Sequence, residues 1–270
     1  MAGQAEPEPQ SQIHAAPRYG PALALLATLF FMWGFITVIN NTLLPHLRSV
    51  FQLNYTQTTL IESTWFIGYL VASIPAAKLI ERVGYQKALV IGLAIMTVGS
   101  LGMIPAARLP SYGVTLASLF IVSCGIAILQ VAANPYVAVI GPPETSESRL
   151  TLVQAFNTTG DFLAVGFGQQ LILARTVAGT RLESAHLTYT QRMADAEATQ
   201  LPYFIVAIIL AALAVVIWRA HLPELGAATR RVNAEARKHL SLWRHRNLVL
   251  GVVAIFVYLI AEIGVGNLFI

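Results

Sequence analysis

The sequence predicts an all-α membrane protein, and its composition, its long apolar runs and their lack of alternation lead to this class. Of 270 residues, 56% are hydrophobic and only 11% are charged, and the mean hydropathy is +0.65. A soluble domain usually carries about 25% charged residues, so these few charges cannot cover a water-facing surface. Within lipid only helices and closed barrels satisfy their backbone groups, and the apolar runs lack the alternation of barrel strands.

Seven apolar runs are long enough to cross a bilayer as helices, which takes about 20 residues each. They cover residues 21–45, 57–80, 88–107, 113–139, 150–176, 201–220 and 247–270. The polar, proline-bearing residues 1–20 lack the basic-then-apolar order of a signal peptide, so we predict a disordered cytoplasmic tail there.

The widest link divides the chain into unequal parts. We predict a six-helix transporter bundle over 21–220, a basic cytoplasmic loop over 221–246 and the first helix of a second bundle over 247–270. Six helices followed by a basic inner loop are typical of one transporter half joined to another. Because the seventh run reaches Ile270 without a polar flank, we expect a truncated form whose C-terminal bundle is missing.

The distribution of basic residues predicts the orientation. With a cytoplasmic N-terminus, twelve of the 17 lysines and arginines lie inside and five outside. Cytoplasmic links carry the excess of these residues, so we expect the N-terminus in the cytoplasm, in a bacterial inner (plasma) membrane. The lysines and arginines sit in short links and form no patch with interleaved aromatic residues, which argues against nucleic-acid binding.

Polar side chains within a span are costly in lipid and are therefore candidate functional residues. In the first span Trp33, Asn40 and Asn41 share one helix face. The amides offer donors and acceptors to a hydroxyl-rich ligand, and the indole can stack on a sugar ring. The alternative is that the amides bond neighbouring helices and the tryptophan packs.

The fourth span carries Gln130 and Asn134 one turn apart, followed by Pro135. Proline frees a backbone carbonyl in the preceding turn, and free backbone at this depth is tolerated where it lines protein or a wet cavity. We predict that this stretch lines the transport pathway. The alternative is a kink that serves packing.

Two spans contain an acid near their middle, and the fifth also carries amides. Gln154, Asn157 and Asp161 form a single polar stripe in the fifth span, and Glu262 lies within the seventh. Because lipid penalises the charged form of a carboxylate, both acids are candidates for binding a coupling ion. The alternative for Asp161 is a bond to a neighbouring helix or contact with water.

The link between the second and third spans contains Glu81, Arg82 and Gly84, an acid and a base followed by a glycine suited to a tight turn. We predict a loop whose charge contacts differ between conformations of a transporter. The alternative is a plain turn that carries positive-inside charges.

The sequence resembles the fucose/proton symporter family of the major facilitator superfamily, and most of all its glucose/galactose transporter branch. The motifs that carry the resemblance are FFMWGFITVINNTLLPHLRSVF (30–51), LNYTQTTLIESTWFIGYL (53–70), LQVAANPYVAVIGPPET (129–145) and SRLTLVQAFNTTG (148–160). The family places essential acids at the positions of Asn41 and Gln130, and an amide pair at those of Gln154 and Asn157. Asp161 stands where the family usually has a small or neutral residue.

The resemblance implies a twelve-helix fold of two bundles, alternating access, and a hexose carried with Na+ or H+. We therefore expect transport of glucose or galactose, with fucose as a further candidate, and the lipid bilayer as surroundings. A non-transporting fragment is the main alternative, because alternating access needs two halves. A seven-helix receptor would typically place its N-terminus outside. An enzyme, a metal site or a cofactor is not expected, because the sequence has no HExxH pair.

Overall fold

The computed structural model describes residues 19–51, 54–108, 111–171, 200–220, 222 and 246–268. Within them, side chains are described except at 40–51, 55, 58, 167–171, 259–260 and 262–268. The helices are α1 (Gly20–Phe51), α2 (Tyr55–Val83), α3 (Tyr85–Arg108), α4 (Tyr112–Val139), α5 (Ser146–Leu171), α6 (Gln200–Arg219) and α7 (Arg246–Leu268). A short 3-10 helix, Pro143–Thr145, precedes α5. A helix thus occupies each of the seven predicted runs.

Five of these helices are long and apolar enough to cross a membrane, counted over the residues that the structure describes: α1, α2, α3, α4 and α6. Helix α5 has a matching length of 26 residues, but its polar stripe lowers its hydropathy. The chain divides into two compact units, Met1–Glu224 with α1 to α6 and Leu225–Ile270 with α7. The domain boundaries given above stay predictions.

Helices α1 to α6 form one bundle. Helix α1 packs against α5, α2 against α4, and α3 against both α4 and α6. One buried apolar cluster of the described residues takes a residue from each of the six helices: Ile39, Ile61, Met103, Leu119, Ala164 and Tyr203. Large apolar side chains on the outer faces of α2, α5 and α6 are exposed, as the lipid-facing surface of a bundle requires.

Helix ends are closed by specific contacts. Asn54 caps α2. Its Oδ1 accepts from the backbone N–H of Gln57 at 2.8 Å, and its own backbone N–H donates to Gln57 Oε1 at 3.0 Å. The Tyr112 hydroxyl donates to the Gln57 carbonyl at 2.8 Å and ties the start of α4 to α2. At the other end of α2, Gly84 has φ 86°, a left-handed conformation that favours glycine. This turn brings α3 back antiparallel to α2.

At the Gly84 end of the bundle, two side chains close the last turns of neighbouring helices. Gln86 Nε2 donates to the carbonyls of Ile217 at 2.8 Å and Ala220 at 2.6 Å, at the end of α6. Arg149, 4% exposed, reaches from the first turn of α5 back to the end of α4. Carbonyls that a helix leaves unpaired are thereby satisfied.

Arg149 binds only uncharged oxygens among the contacts in the described ranges. Its Nε donates to the Val137 carbonyl at 3.1 Å, and its two Nη atoms donate to the carbonyls of Ala138 at 2.7 Å and Pro142 at 2.8 Å. The guanidinium also lies over the ring of Tyr19, 5.8 Å from its centroid. The start of α1, the end of α4 and the start of α5 are therefore held together at one end.

Candidate functional site

The first polar group within the bundle joins three helices. Gln130 of α4 donates through Nε2 to the hydroxyl of Tyr69 on α2, at 3.2 Å. The indoles of Trp33 of α1 and Trp65 of α2 lie beside the same hydroxyl. All four side chains are half-buried. Gln130 and Trp33, which the sequence predicted for the site, are therefore brought to one place.

The second polar group lies in the seam between α1 and α5. Asn157 of α5 donates through Nδ2 to the backbone carbonyl of Phe30 on α1, at 2.9 Å. One amide proton of Asn157 thus bonds a neighbouring helix. Asparagine has a second amide proton and an acceptor oxygen, so the side chain retains capacity for a ligand.

Close backbone contact makes this seam narrow. A Cβ atom at Gly160 of α5 would collide with the Phe31 carbonyl oxygen, and one at Gly34 of α1 would collide with the Asn157 carbonyl oxygen. Small residues at helix interfaces allow such approach in membranes. Asp161 is half-buried in the same seam, with Oδ1 2.7 Å from where a Gly34 Cβ would stand.

The two polar groups meet at one turn of α1. The backbone carbonyl of Phe30 accepts from Asn157. The ring of the same residue packs on the Trp33 ring, with centroids 5.6 Å apart and an interplanar angle of 53°. Trp33 belongs to the first group and Gly34 to the seam of the second. Residues 30–34 of α1, which we call the α1 site segment, therefore lie next to both groups. The first is the cluster of Trp33, Trp65, Tyr69 and Gln130, and the second is the pair of Asn157 and Asp161.

The remaining predicted residues fall in different places. Asn134 of α4 and Gln154 of α5 are exposed on the described bundle. Helix α4 runs through Pro135 without interruption, from Tyr112 to Val139. The side chains of Asn40, Asn41 and Glu262, although on helices, lie outside the described residues.

Of the predicted link residues, Glu81 and Arg82 are exposed in the last turn of α2, and Gly84 makes the turn to α3. Gln86, in the first turn of α3, joins this region to the end of α6. The proposed conformational role of the link stays a prediction.

Sequence reasoning missed Tyr69 and Trp65, which organise Gln130. They stand four apart on α2, inside the stretch 53–70 quoted above, so their common helix face was a signal that pointed to them. It also counted Arg149 as an ordinary inner charge. Neither the burial of Arg149 nor its carbonyl partners leave a trace in a single sequence.

Comparison with known proteins assigns the family. The chain matches the Major Facilitator Superfamily over residues 24–269. It is 43% identical over 249 residues to the "Glucose/galactose transporter" of Brucella abortus biovar 1 (strain 9-941), an alignment covering 92% of this chain and 57% of that protein. It is 34% identical over 206 residues to the "L-fucose-proton symporter" of Escherichia coli (strain K12), covering 75% and 47% respectively. These relatives are named as a transporter and a symporter rather than as enzymes.

Solved structures agree with the predicted architecture. A crystal structure of the transporter FucP in the outward conformation matches with a TM-score of 0.67 and 33% identity, covering 77% of this chain and 51% of that one. The chain spans about half the length of this structure and of the curated symporter. With its apolar helices the chain is a multi-pass membrane protein, and it belongs to the major facilitator superfamily.

Proposed function

We propose that this chain supplies the N-terminal half of a sugar site in a secondary active hexose transporter. The hexose is glucose or galactose, with fucose as a further candidate, and transport proceeds by alternating access in a bacterial inner membrane, with the N-terminus in the cytoplasm. The names of the relatives support the sugar class, and the 12 to 5 division of basic residues supports the orientation.

One observation carries the proposal: amide and indole groups meet around the α1 site segment within an otherwise apolar bundle. The Trp33 indole of this segment lies beside Tyr69, which Gln130 bonds, and Asn157 and Asp161 lie where the segment meets α5. Amides can both donate to and accept from sugar hydroxyls, and an aromatic ring can cover the apolar face of a hexose. Polar groups at this depth mark substrate pathways in transporters.

The exposed residues Asn134 and Gln154 belong to the same proposal. Asn157 of α5 bonds the α1 site segment directly, and Gln130 of α4 bonds Tyr69, which lies beside Trp33 of that segment. We place Asn134 and Gln154 at the rim of the site, and Asn40 and Asn41 of α1 stay candidate sugar-binding residues from the sequence. The partner surface that alternating access requires would be a C-terminal bundle.

Uptake tests the proposal. The reading frame that encodes this chain, taken to its stop codon, is expressed in cells without hexose transporters, and uptake of labelled glucose, galactose and fucose is measured. We expect saturable uptake of at least one hexose. Absence of uptake for all three, with the protein present in the membrane, would refute the proposal.

Two variants locate the site on α5. Gln154→Ala and Asn157→Ala should each abolish uptake while the protein still reaches the membrane. Thr158→Val is the matched control, because the Thr158 hydroxyl donates to the Gln154 carbonyl of its own helix at 3.1 Å. Normal uptake by both alanine variants would remove α5 from the site.

The coupling ion is Na+ or H+, and Asp161 and Glu262 are the candidate groups. Asp161 has the stronger support because its carboxylate lies in the seam beside Asn157 and the α1 backbone. Replacing Na+ with choline should stop accumulation if the ion is Na+, and a protonophore should stop it if the ion is H+. Accumulation that survives both treatments together would contradict ion coupling.

A further inference from the structure

Tyr69 stands at the centre of a donor-rich cluster. Its hydroxyl receives a hydrogen bond from Gln130 Nε2 at 3.2 Å, and the indoles of Trp33 and Trp65 lie beside it. The rings of Trp65 and Tyr69 are 6.5 Å apart at an interplanar angle of 42°. The Tyr69 oxygen is therefore the acceptor for the Gln130 N–H group from α4.

This arrangement sets the direction of the Gln130 amide. The two ends of a glutamine amide differ in character, since Nε2 donates and Oε1 accepts. The last torsion of glutamine is soft, so a neighbour has to decide which end faces the ligand. With Nε2 bound to Tyr69, Oε1 is directed away from that hydroxyl and is oriented as an acceptor.

We propose that Tyr69 is a positioning residue of the sugar site: its hydroxyl oxygen fixes the Gln130 amide so that Oε1 accepts a hydrogen bond from a hexose hydroxyl. This inference rests on the proposed function and adds α2 to a site otherwise built from α1, α4 and α5. Without the Tyr69 oxygen, the Gln130 amide turns and presents either end, so a sugar hydroxyl loses a fixed acceptor.

The test is a double-mutant cycle in the uptake assay. Tyr69→Phe should raise the KM for the transported hexose about tenfold, the effect of one well-formed hydrogen bond, and leave Vmax within about twofold. Gln130→Ala should raise KM at least as much. Because Tyr69 acts through Gln130, adding Tyr69→Phe to Gln130→Ala should change KM by less than about twofold.

The matched control is Tyr112→Phe, which also removes a tyrosine hydroxyl bonded across helices, to the Gln57 carbonyl. Its KM should stay at the wild-type value. Should Tyr69→Phe lose uptake through misassembly, hexose affinity of the purified protein is read from indole fluorescence, since Trp33 and Trp65 flank Tyr69. The same tenfold weakening is expected there.

The outcomes separate the two proposals. Lack of uptake by the wild type refutes the proposed function. A normal KM for Gln130→Ala removes Gln130 from the site and overturns this inference with it. A raised KM for Gln130→Ala together with a normal KM for Tyr69→Phe, or effects that multiply in the double variant, overturns the positioning role alone.

Discussion

The α1–α5 seam yields a prediction with a built-in control, because two glycines of α5 differ in their surroundings. A Cβ at Gly160 would collide with the Phe31 carbonyl oxygen and would stand 3.1 Å from the Phe35 nitrogen, whereas a Cβ at Gly166 would meet nothing within 4 Å. The atoms facing Gly160 are backbone and cannot rotate away. In Gly160→Ala the two helices must therefore separate.

The magnitude follows from three terms. Overpacking a tight interface costs about 1–3 kcal/mol, and separation weakens the 2.9 Å bond from Asn157 to the Phe30 carbonyl, which is worth about 1 kcal/mol. Replacing glycine with alanine in a helix gains about 1 kcal/mol. Gly160→Ala should thus destabilise the fold by about 1–3 kcal/mol, by summing these terms. In Gly166→Ala only the stabilising glycine-to-alanine term of about 1 kcal/mol applies.

The lone cysteine provides the assay. Cys124 is half-buried in α4, where its thiol donates to the Gly68 carbonyl at 3.6 Å. A thiol-reactive fluorogenic maleimide therefore reports unfolding in detergent during a temperature scan. Because such unfolding is commonly irreversible, midpoints are compared at one scan rate.

The two variants differ by about 2–4 kcal/mol under these terms. At about 2–4 °C per kcal/mol for a chain of this size, the Gly160→Ala midpoint should lie at least about 4 °C below that of Gly166→Ala. Coincident midpoints would show that α1 and α5 do not approach each other as described, and the seam that holds Asn157 and Asp161 would lose its basis.

Two further predictions concern charged groups. Arg149→Met should lower the melting midpoint by about 6–12 °C, because roughly 3 kcal/mol of bonding to three backbone carbonyls is lost. Arg149→Lys should fall between Arg149→Met and the wild type, and a wild-type midpoint for Arg149→Met would contradict this contribution. Asp161→Asn should abolish accumulation of hexose against a gradient while exchange of internal for external hexose continues. Full accumulation by Asp161→Asn would exclude this carboxylate from coupling.

The helices could be predicted from sequence because hydropathy identifies the residues that lie within the bilayer. It does not identify the residue at which a helix ends. The first run was predicted to end at residue 45, whereas α1 continues to Phe51, and α5 begins at Ser146 rather than at 150. A helix continues beyond lipid wherever its terminal backbone groups are satisfied. The bonds from Arg149, at the start of α5, to carbonyls at the end of α4 illustrate this.

The site was predictable only as a set of polar residues. Gln130 and Asn157 stood out because amides are rare within apolar spans. Their partners did not, since the Tyr69 hydroxyl and the Phe30 carbonyl belong to other helices. Which helix faces meet depends on small residues such as Gly160, whose effect appears only when two backbones are brought together.

The central claim is that residues of α4 and α5 around the α1 site segment face a water-filled sugar pathway. In a Cys124→Ala background, Thr158→Cys, one turn from Gln154 and exposed on α5, is treated with a membrane-impermeant, water-soluble maleimide, with and without the transported hexose. We predict rapid labelling that the hexose slows and that its enantiomer leaves unchanged. Labelling that is absent, or that proceeds at the same rate with and without the hexose, would contradict the claim.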